Sequence, residues 1–333
     1  MRAVVTGGGG FVGRAIVERL VERGDGVRII ARGNYPDLAR VGVECIRGDV
    51  ADFATVRSAV EGADVVFHAA AKVGYWGQPA DFERANVLGT CNIVQACQDG
   101  GVRRLVHTST PAVVAQQRPL EGLDETVPYP AVTLCEYQRT KIIAEKAVLA
   151  ANGRGGLATI ALRPHNIWGP GDPHFIPRLA QRARGRRLNQ IGDGRNRVDV
   201  TYIDNAAEAH LLAADKLRAG AAVGGRAYFV SQGEPVLLWP FFNRMLKGLD
   251  LPLFAKRVPY SLARNLGQAL EAIYRILPQL GEPPLTRFLA VQLGESHYFD
   301  ISRVRADLGY APRIGIEEGL ERTFAHYRTH SPL

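Results

Sequence analysis

The feature that most restricts the fold lies at the amino terminus, in Thr6-Gly7-Gly8-Gly9-Gly10-Phe11-Val12-Gly13. It follows the apolar run Ala3-Val4-Val5 and leads into the helical pattern Val12, Ile16, Val17, Leu20. Glycines spaced in this way between a strand and a helix form a dinucleotide-binding turn. Gly7 permits the sharp turn, Gly10 lets the backbone approach a pyrophosphate, and Gly13 lets the helix pack closely on its strand. The N–H groups of the first helical turn, at Phe11 and Val12, then face the phosphates.

Residues 1–110 continue in the same manner. Strands are expected near 2–6, 26–31, 43–48, 64–68 and 103–109, and helices near 11–23, 53–60 and 80–98. That alternation predicts an α/β fold, a Rossmann-type doubly wound parallel sheet with helices on both faces. Runs such as Val65-Val66-Phe67 suit strands buried on both sides. With 333 residues, 46% of them apolar, the chain can build this core and a smaller lobe. We expect an NAD(P)-binding domain at 1–165, with returning segments near 195–232, and a substrate-binding lobe over most of 166–333.

Composition excludes several classes. The first strand begins at once, so no leader peptide is expected, and stretches such as Ala207–Ala214 are too short to span a bilayer. Cys45, Cys91, Cys97 and Cys135 show neither metal spacing nor a disulfide framework, so no metal and a reduced, cytoplasmic setting are expected. The net charge is +8, with arginines densest at Arg178, Arg182, Arg184, Arg186, Arg187, Arg195 and Arg197. This cluster reads as a solvated face, or as a site for an anionic substrate, a partner or a membrane surface. No aromatic residues interleave with it, which argues against nucleic acid.

The second strand, Val27-Arg28-Ile29-Ile30-Ala31-Arg32, bears on cofactor choice. An NAD site places a carboxylate about 20 residues past the glycines, on the ribose hydroxyls. Here Arg32 stands instead, and a guanidinium pairs with a 2′-phosphate that an acid would repel. NADP(H) is therefore the preferred cofactor, with NAD(H) the alternative. Asp49 and Val50 close the third strand at the adenine rim, and Ala69 and Ala70 leave room for cofactor after the fourth. His68 reads as a hydrogen-bonded structural residue, and Asn86 as a buried amide that braces neighbouring strands.

A second constellation carries chemistry. The fifth strand ends in the hydroxyls Thr108, Ser109 and Thr110, any of which can hold a substrate oxygen. Tyr137 and Lys141 then stand four apart on a helical pattern, and so share a face. A free phenol has a pKa of about 10. A nearby ammonium, together with an oxidised nicotinamide, is expected to lower it so that Tyr137 trades a proton with the substrate oxygen.

These segments resemble the extended short-chain dehydrogenase/reductases. Leu162–Asp172, Val200–Ala206 and Gly281–Phe288 extend the likeness along nearly the whole chain, toward the 3β-hydroxysteroid dehydrogenase branch. The resemblance implies that Thr110 is the catalytic hydroxyl, with Ser109 as fallback, that Tyr137 is the acid/base, and that Lys141 is its helper and a ribose ligand. It also implies that backbone from Pro164 to Ile167 lies beside the nicotinamide amide. The implied activity interconverts a secondary alcohol and a ketone on a lipophilic substrate. That substrate is a β-keto or β-hydroxy acid such as a 2-alkyl-3-oxoalkanoate, or a 3β-hydroxysteroid.

The alternative reading is a redox-neutral nucleotide-sugar epimerase on the same fold. A dehydratase would need an acid/base pair beside the hydroxyl, and Pro111-Ala112 supply none. A non-catalytic cofactor sensor would have no need of both Tyr137 and Lys141. The cluster 178–197 is a weak candidate for gripping a substrate carboxylate. Leu262, Leu266, Leu270, Ile273 and Leu277 form one face of an amphipathic helix. Packing on the small lobe is the plain reading of that face; a lipophilic lid and a peripheral membrane contact through 258–280 are the alternatives. Surplus apolar positions on helices 80–98 and 135–150 suggest a homodimer.

Overall fold

A computed structural model describes residues 1–185, 189–254 and 256–329. Seven parallel strands form the central sheet: β1 (Arg2–Thr6), β2 (Gly26–Ala31), β3 (Glu44–Arg47), β4 (Val65–His68), β5 (Arg104–Thr108), β6 (Ala158–Pro164) and β7 (Arg226–Val230). Their spatial order is β7-β6-β5-β4-β1-β2-β3. The order reverses between β1 and β4, which opens a crevice above their carboxyl ends, the place where ligands bind in such sheets.

The strands form because their residues can be buried on both faces. Ala3 and Val5 of β1 join Ile16, Val17 and Leu20 of helix α1 (Phe11–Glu22) in one core. Val4 points the other way, into a second core with Val56, Ile93 and Val148. Those three come from α2 (Phe53–Val60), α3 (Gly89–Asp99) and α4 (Glu136–Ala150). Helix α5 (Ile203–Lys216) adds Ala207 and Leu211 to the α1 side.

The segment expected as one helix at 80–98 is divided into Pro79–Phe82, a π-helical turn at Glu83–Leu88, and α3. The wider turn carries Asn86, whose side chain receives a hydrogen bond from Lys72 N at 2.7 Å and donates to Thr140 Oγ1 at 3.0 Å. Asn86 therefore braces the loop after β4 against α4, rather than bracing strands.

The second lobe uses very short strands. Val236–Leu237, Arg197–Val198, His297–Phe299 and Leu120–Leu123 form one small sheet, and Asn189–Ile191 pairs with Lys256–Val258. Trp168 anchors the lobe, with edge-on contacts to Tyr202 and Phe241 at 5.3 and 5.4 Å between ring centroids. Two further helices, α6 (Tyr260–Ile276) and α7 (Arg287–Gly294), pack on each other above the site.

The leucine face of α6 does not pack on the lobe. Ala263, Gly267 and Glu271 face inward instead. A Cβ at Gly267 would stand 2.8 Å from the Thr286 carbonyl carbon, so the small-residue face is the one that permits close approach to the start of α7. Among the described residues, no helix is long and apolar enough to cross a membrane.

Candidate active site

The glycine turn has the shape its spacing predicts. Gly7 has φ +68°, and a Cβ on it would lie 2.9 Å from Ala70 Cα. A Cβ on Gly13 would fall 2.2 Å from Gly7 O, so only glycine lets α1 start this close to β1. Gly10 is exposed, and the one atom near its Cβ position is Gly7 O at 3.2 Å. The turn thus presents an open cradle in front of the first helical N–H groups, at Phe11 and Val12, which fits a pyrophosphate.

Across the crevice, Ala69 and Ala70 follow β4. Ala70 N donates to Thr6 Oγ1 at 3.1 Å, and Thr6 Oγ1 lies 2.7 Å from His68 Nδ1. His68 Nε2 lies 2.9 Å from Thr90 Oγ1, which in turn donates to Asn86 O at 2.6 Å. The donor order places the proton of His68 on Nε2. Burial lowers its pKa to about 3, so this residue is a neutral tie between β1, β4 and α3.

Beyond β2, Arg32 is exposed and helps hold the Asp49 carboxyl below its usual range, after the Ala51 N–H and Arg84. Arg84 Nη2 pairs with Asp49 Oδ2 at 3.1 Å. Two guanidinium groups therefore stand by the β2 and β3 ends, one of them from the π-helical turn. Val50 is mostly buried, and its carbonyl accepts from Asn92 Nδ2 at 3.0 Å. Tyr35 covers the outer side of the turn: a Cβ on Gly9 would fall 1.9 Å from its ring.

The three hydroxyls after β5 face different partners. Thr108 Oγ1 lies 2.8 Å from His210 Nε2. Ser109 is buried and turns toward Glu145. Thr110 accepts from Ala112 N at 3.2 Å, and its hydroxyl acts on the Tyr137 phenol. Gln138 fixes the start of α4 by receiving Leu134 N at 2.7 Å and donating to Ala115 O at 2.8 Å.

One turn along α4, Lys141 Nζ donates to Thr108 O at 2.7 Å and lies 3.2 Å from His107 Nε2. Burial lowers the Lys141 pKa to about 8. With the protein alone, burial pushes the Tyr137 phenol above its ordinary value, and the Thr110 hydroxyl offsets this only in part. Lys141 meets Thr108 and His107 with two of its three donors, and Tyr137, raised by burial, is held in the protonated form.

Pro164 ends β6, and Ile167 pairs with Thr201 after a turn in which Asn166 has φ +41°. Both lie at the carboxyl end of the sheet. Between them, His165 Nε2 meets His297 Nδ1 at 2.6 Å, which ties this turn to the second lobe.

Two buried neighbours had no individual signal in the sequence. Glu145 and Arg163 form a buried ion pair at 2.6 Å beneath Ser109, and Glu145 also accepts from Tyr129 Oη at 2.6 Å. Tyr75, in the loop after β4, lies near Tyr137 and meets Phe288 with ring centroids 4.8 Å apart and the rings tilted by 32°. Within the arginine cluster, Arg178 pairs with Glu282 at 3.7 Å and acts on the Tyr75 phenol, while Arg182 donates to Pro284 O at 3.0 Å. Arg186 and Arg187 lie outside the described residues. Among the described residues, no group of His, Cys, Asp or Glu is placed to hold a metal.

Residues 4–260 match the 3-beta hydroxysteroid dehydrogenase/isomerase family. The chain belongs to that family. Within it, the chain is 49% identical to a 2-alkyl-3-oxoalkanoate reductase of Stenotrophomonas maltophilia, covering 97% of this chain and 98% of the relative. A sterol-4-alpha-carboxylate 3-dehydrogenase, decarboxylating, of Mus musculus is 34% identical over 98% of this chain and 92% of its own. The solved structure of MoeE5 in complex with UDP-glucose and NAD superposes with a TM-score of 0.75 at 25% identity, covering 98% of this chain and 99% of the other. The chain is an NAD(P)-dependent oxidoreductase on the extended short-chain dehydrogenase/reductase fold.

Proposed function

We propose that this family member is an NADP(H)-dependent reductase that converts the ketone of a lipophilic β-keto acid, of the 2-alkyl-3-oxoalkanoate kind, into a secondary alcohol. The observation that carries this reading is the Tyr137 phenol, acted on by the Thr110 hydroxyl after β5, with Lys141 one turn further along α4. The protonated phenol is the form that gives a proton to a carbonyl oxygen. Thr110 orients that oxygen, and Lys141 holds the cofactor ribose. A nicotinamide held there would supply the two electrons, as hydride. Gly7, Gly10, Phe11, Val12 and Gly13 hold the pyrophosphate, Asp49 and Val50 border the adenine, and Pro164 and Ile167 flank the nicotinamide amide. Arg32, reinforced by Arg84, selects the 2′-phosphate. Arg178, beside Tyr75, is the member of its cluster best placed to receive a substrate carboxylate.

The names of both relatives support the substrate class, since each describes a carboxylate placed near an oxidisable or reducible carbon. The direct test follows NADPH and NADH oxidation with 2-alkyl-3-oxo acids, 3-ketosteroids and UDP-sugars. We expect NADPH consumption with the oxo acids. Epimerised UDP-glucose with no net cofactor oxidation would instead establish the redox-neutral reading.

We also propose a homodimer through the helices around α3 and α4, where Leu88 and Ile143 remain 46% and 37% exposed. A monomer by size-exclusion chromatography with light scattering would contradict it.

A further inference from the structure

Three imidazoles meet around the ends of β4 and β5, and two of them are satisfied by neutral neighbours. His68 has Thr6 Oγ1 on one ring nitrogen and Thr90 Oγ1 on the other. His210, on α5, has Ala206 O at 2.7 Å from Nδ1 and Thr108 Oγ1 at 2.8 Å from Nε2. Both rings tie one element to another.

The third, His107, is different. It is fully buried and stands beside His68 in the sheet register, with the ring centroids 5.2 Å apart. Its Nε2 lies 3.2 Å from Lys141 Nζ, whereas its buried Nδ1 has no hydrogen-bond partner among the described residues. A lysine ammonium can only donate, so Nε2 is the acceptor and the ring proton sits on Nδ1. A buried N–H without a partner costs stability, and an apolar side chain would fill the same space without that cost. What the imidazole adds at this position is its bond to Lys141.

We propose that His107 is a positioning residue for Lys141: its Nε2 and the Thr108 carbonyl together fix the ammonium and keep its third N–H for the cofactor ribose. The proposal rests on the ribose role given to Lys141 above. Thr108 O takes one N–H at 2.7 Å. With that bond alone the head group could turn about it, and a second bond stops the rotation. Both acceptors belong to adjacent residues of β5, which is paired on one side with β4 and on the other with β6. The ammonium belongs to α4, so the two bonds hold the face of α4 shared by Lys141 and Tyr137 against a fixed strand.

The charges around the pair suit this role. Burial holds the His107 ring well below its ordinary pKa, and Lys141, His68 and His210 act in the same direction, so the ring stays neutral. Burial lowers Lys141 to about 8, while Glu145, one turn further along α4 and paired with Arg163, acts the other way. Near neutral pH the acceptor is thus uncharged and the donor charged. A neutral imidazole that accepts from an ammonium favours its charged form.

The test is nitrogen-15 NMR of the full-length protein, with His107→Leu to remove the acceptor and His107→Gln to replace Nε2 by an amide oxygen. Lys141→Met identifies the lysine signal. In wild type the His107 ring should be neutral with its proton on Nδ1. The Lys141 ammonium should titrate at about 8 in wild type, lower in His107→Leu, and close to wild type in His107→Gln. NADPH should bind at least ~10-fold more weakly to His107→Leu and within ~3-fold of wild type to His107→Gln. A wild-type His107 ring with its proton on Nε2 would overturn the proposal, whether or not the variants fold. So would a Lys141 titration unmoved in His107→Leu, or an NADPH affinity in His107→Gln as low as in His107→Leu. NADPH affinity unchanged in Lys141→Met would remove the ribose role on which the proposal rests, and the tautomer and titration distinguish that failure from failure of the His107 contact. None of these measurements needs a ketone to turn over, so they stand apart from the substrate assignment.

Discussion

The central sheet and the α6–α7 roof treat apolar surface in opposite ways. In the sheet, Val5, Ile29, Phe67, Val106 and Ile160 are withdrawn completely from water, with helices packed on both faces. The strand ends that carry Gly7, Ala69 and Thr110 are therefore fixed from two sides. In the roof, α6 is held by a narrow inner stripe of Ala263, Gly267 and Glu271, and its large side chains face outward. The candidate site residues sit on the part of the molecule fixed from two sides, whereas α6 is packed through one narrow face against α7. A site of this kind keeps proton-transfer geometry rigid while its cover can adapt to the substrate.

The contrast can be tested by substitution. The largest effect on stability is expected from Glu145→Gln, which leaves buried Arg163 without its ionic partner and should cost about 3–5 kcal/mol in chemical denaturation. Leu105→Ala, at a fully buried β5 position, should cost about 2–5 kcal/mol. Losses below about 1 kcal/mol in both would mean that the sheet is less firmly packed than its burial indicates.

Lys141 gives a pH signature. Its folded pKa is depressed to about 8, whereas an unfolded lysine titrates near 10.4, so the unfolded chain binds more protons in between. Stability contributed by this group should therefore rise with pH across that interval, and Lys141→Met should flatten the rise. An identical slope in both proteins would place the ammonium in water rather than against Thr108 and His107.

A smaller effect is expected at the adenosine end. Arg32→Ala should raise the KM for NADPH about tenfold and leave that for NADH nearly unchanged. Equal changes for both cofactors would remove the 2′-phosphate assignment. The smallest effect belongs to the roof: Leu266→Gln should shift stability by less than about 0.5 kcal/mol, in contrast to Leu105→Ala.

The same contrast governs what could be read from the sequence. The strands and helices of the first half were legible because their apolar runs and glycine turns are local signals; β1, β2 and α2 lie where the pattern places them. Thr110 and Tyr137, far apart in the chain, were brought into one site by the order of the sheet. The partners of Lys141 were not legible, because four-residue spacing puts it on the Tyr137 face but does not say what its ammonium binds. Three-residue strands such as Asn189–Ile191 also gave no local signal, since their pairing with Lys256–Val258 is long-range. The α6 pattern announced an apolar face. Which side is buried depended on small residues at Ala263 and Gly267, where α7 approaches.

The central claim is that Tyr137, set by Thr110, donates the proton that accompanies ketone reduction. The most direct measurement compares wild type with Tyr137→Phe for NADPH affinity, by fluorescence, and for single-turnover reduction of a 2-alkyl-3-oxo acid. Near-unchanged cofactor affinity and a rate reduced by roughly 10²–10⁴-fold are expected. A Tyr137→Phe enzyme that reduces the oxo acid within a few-fold of the wild-type rate would contradict it.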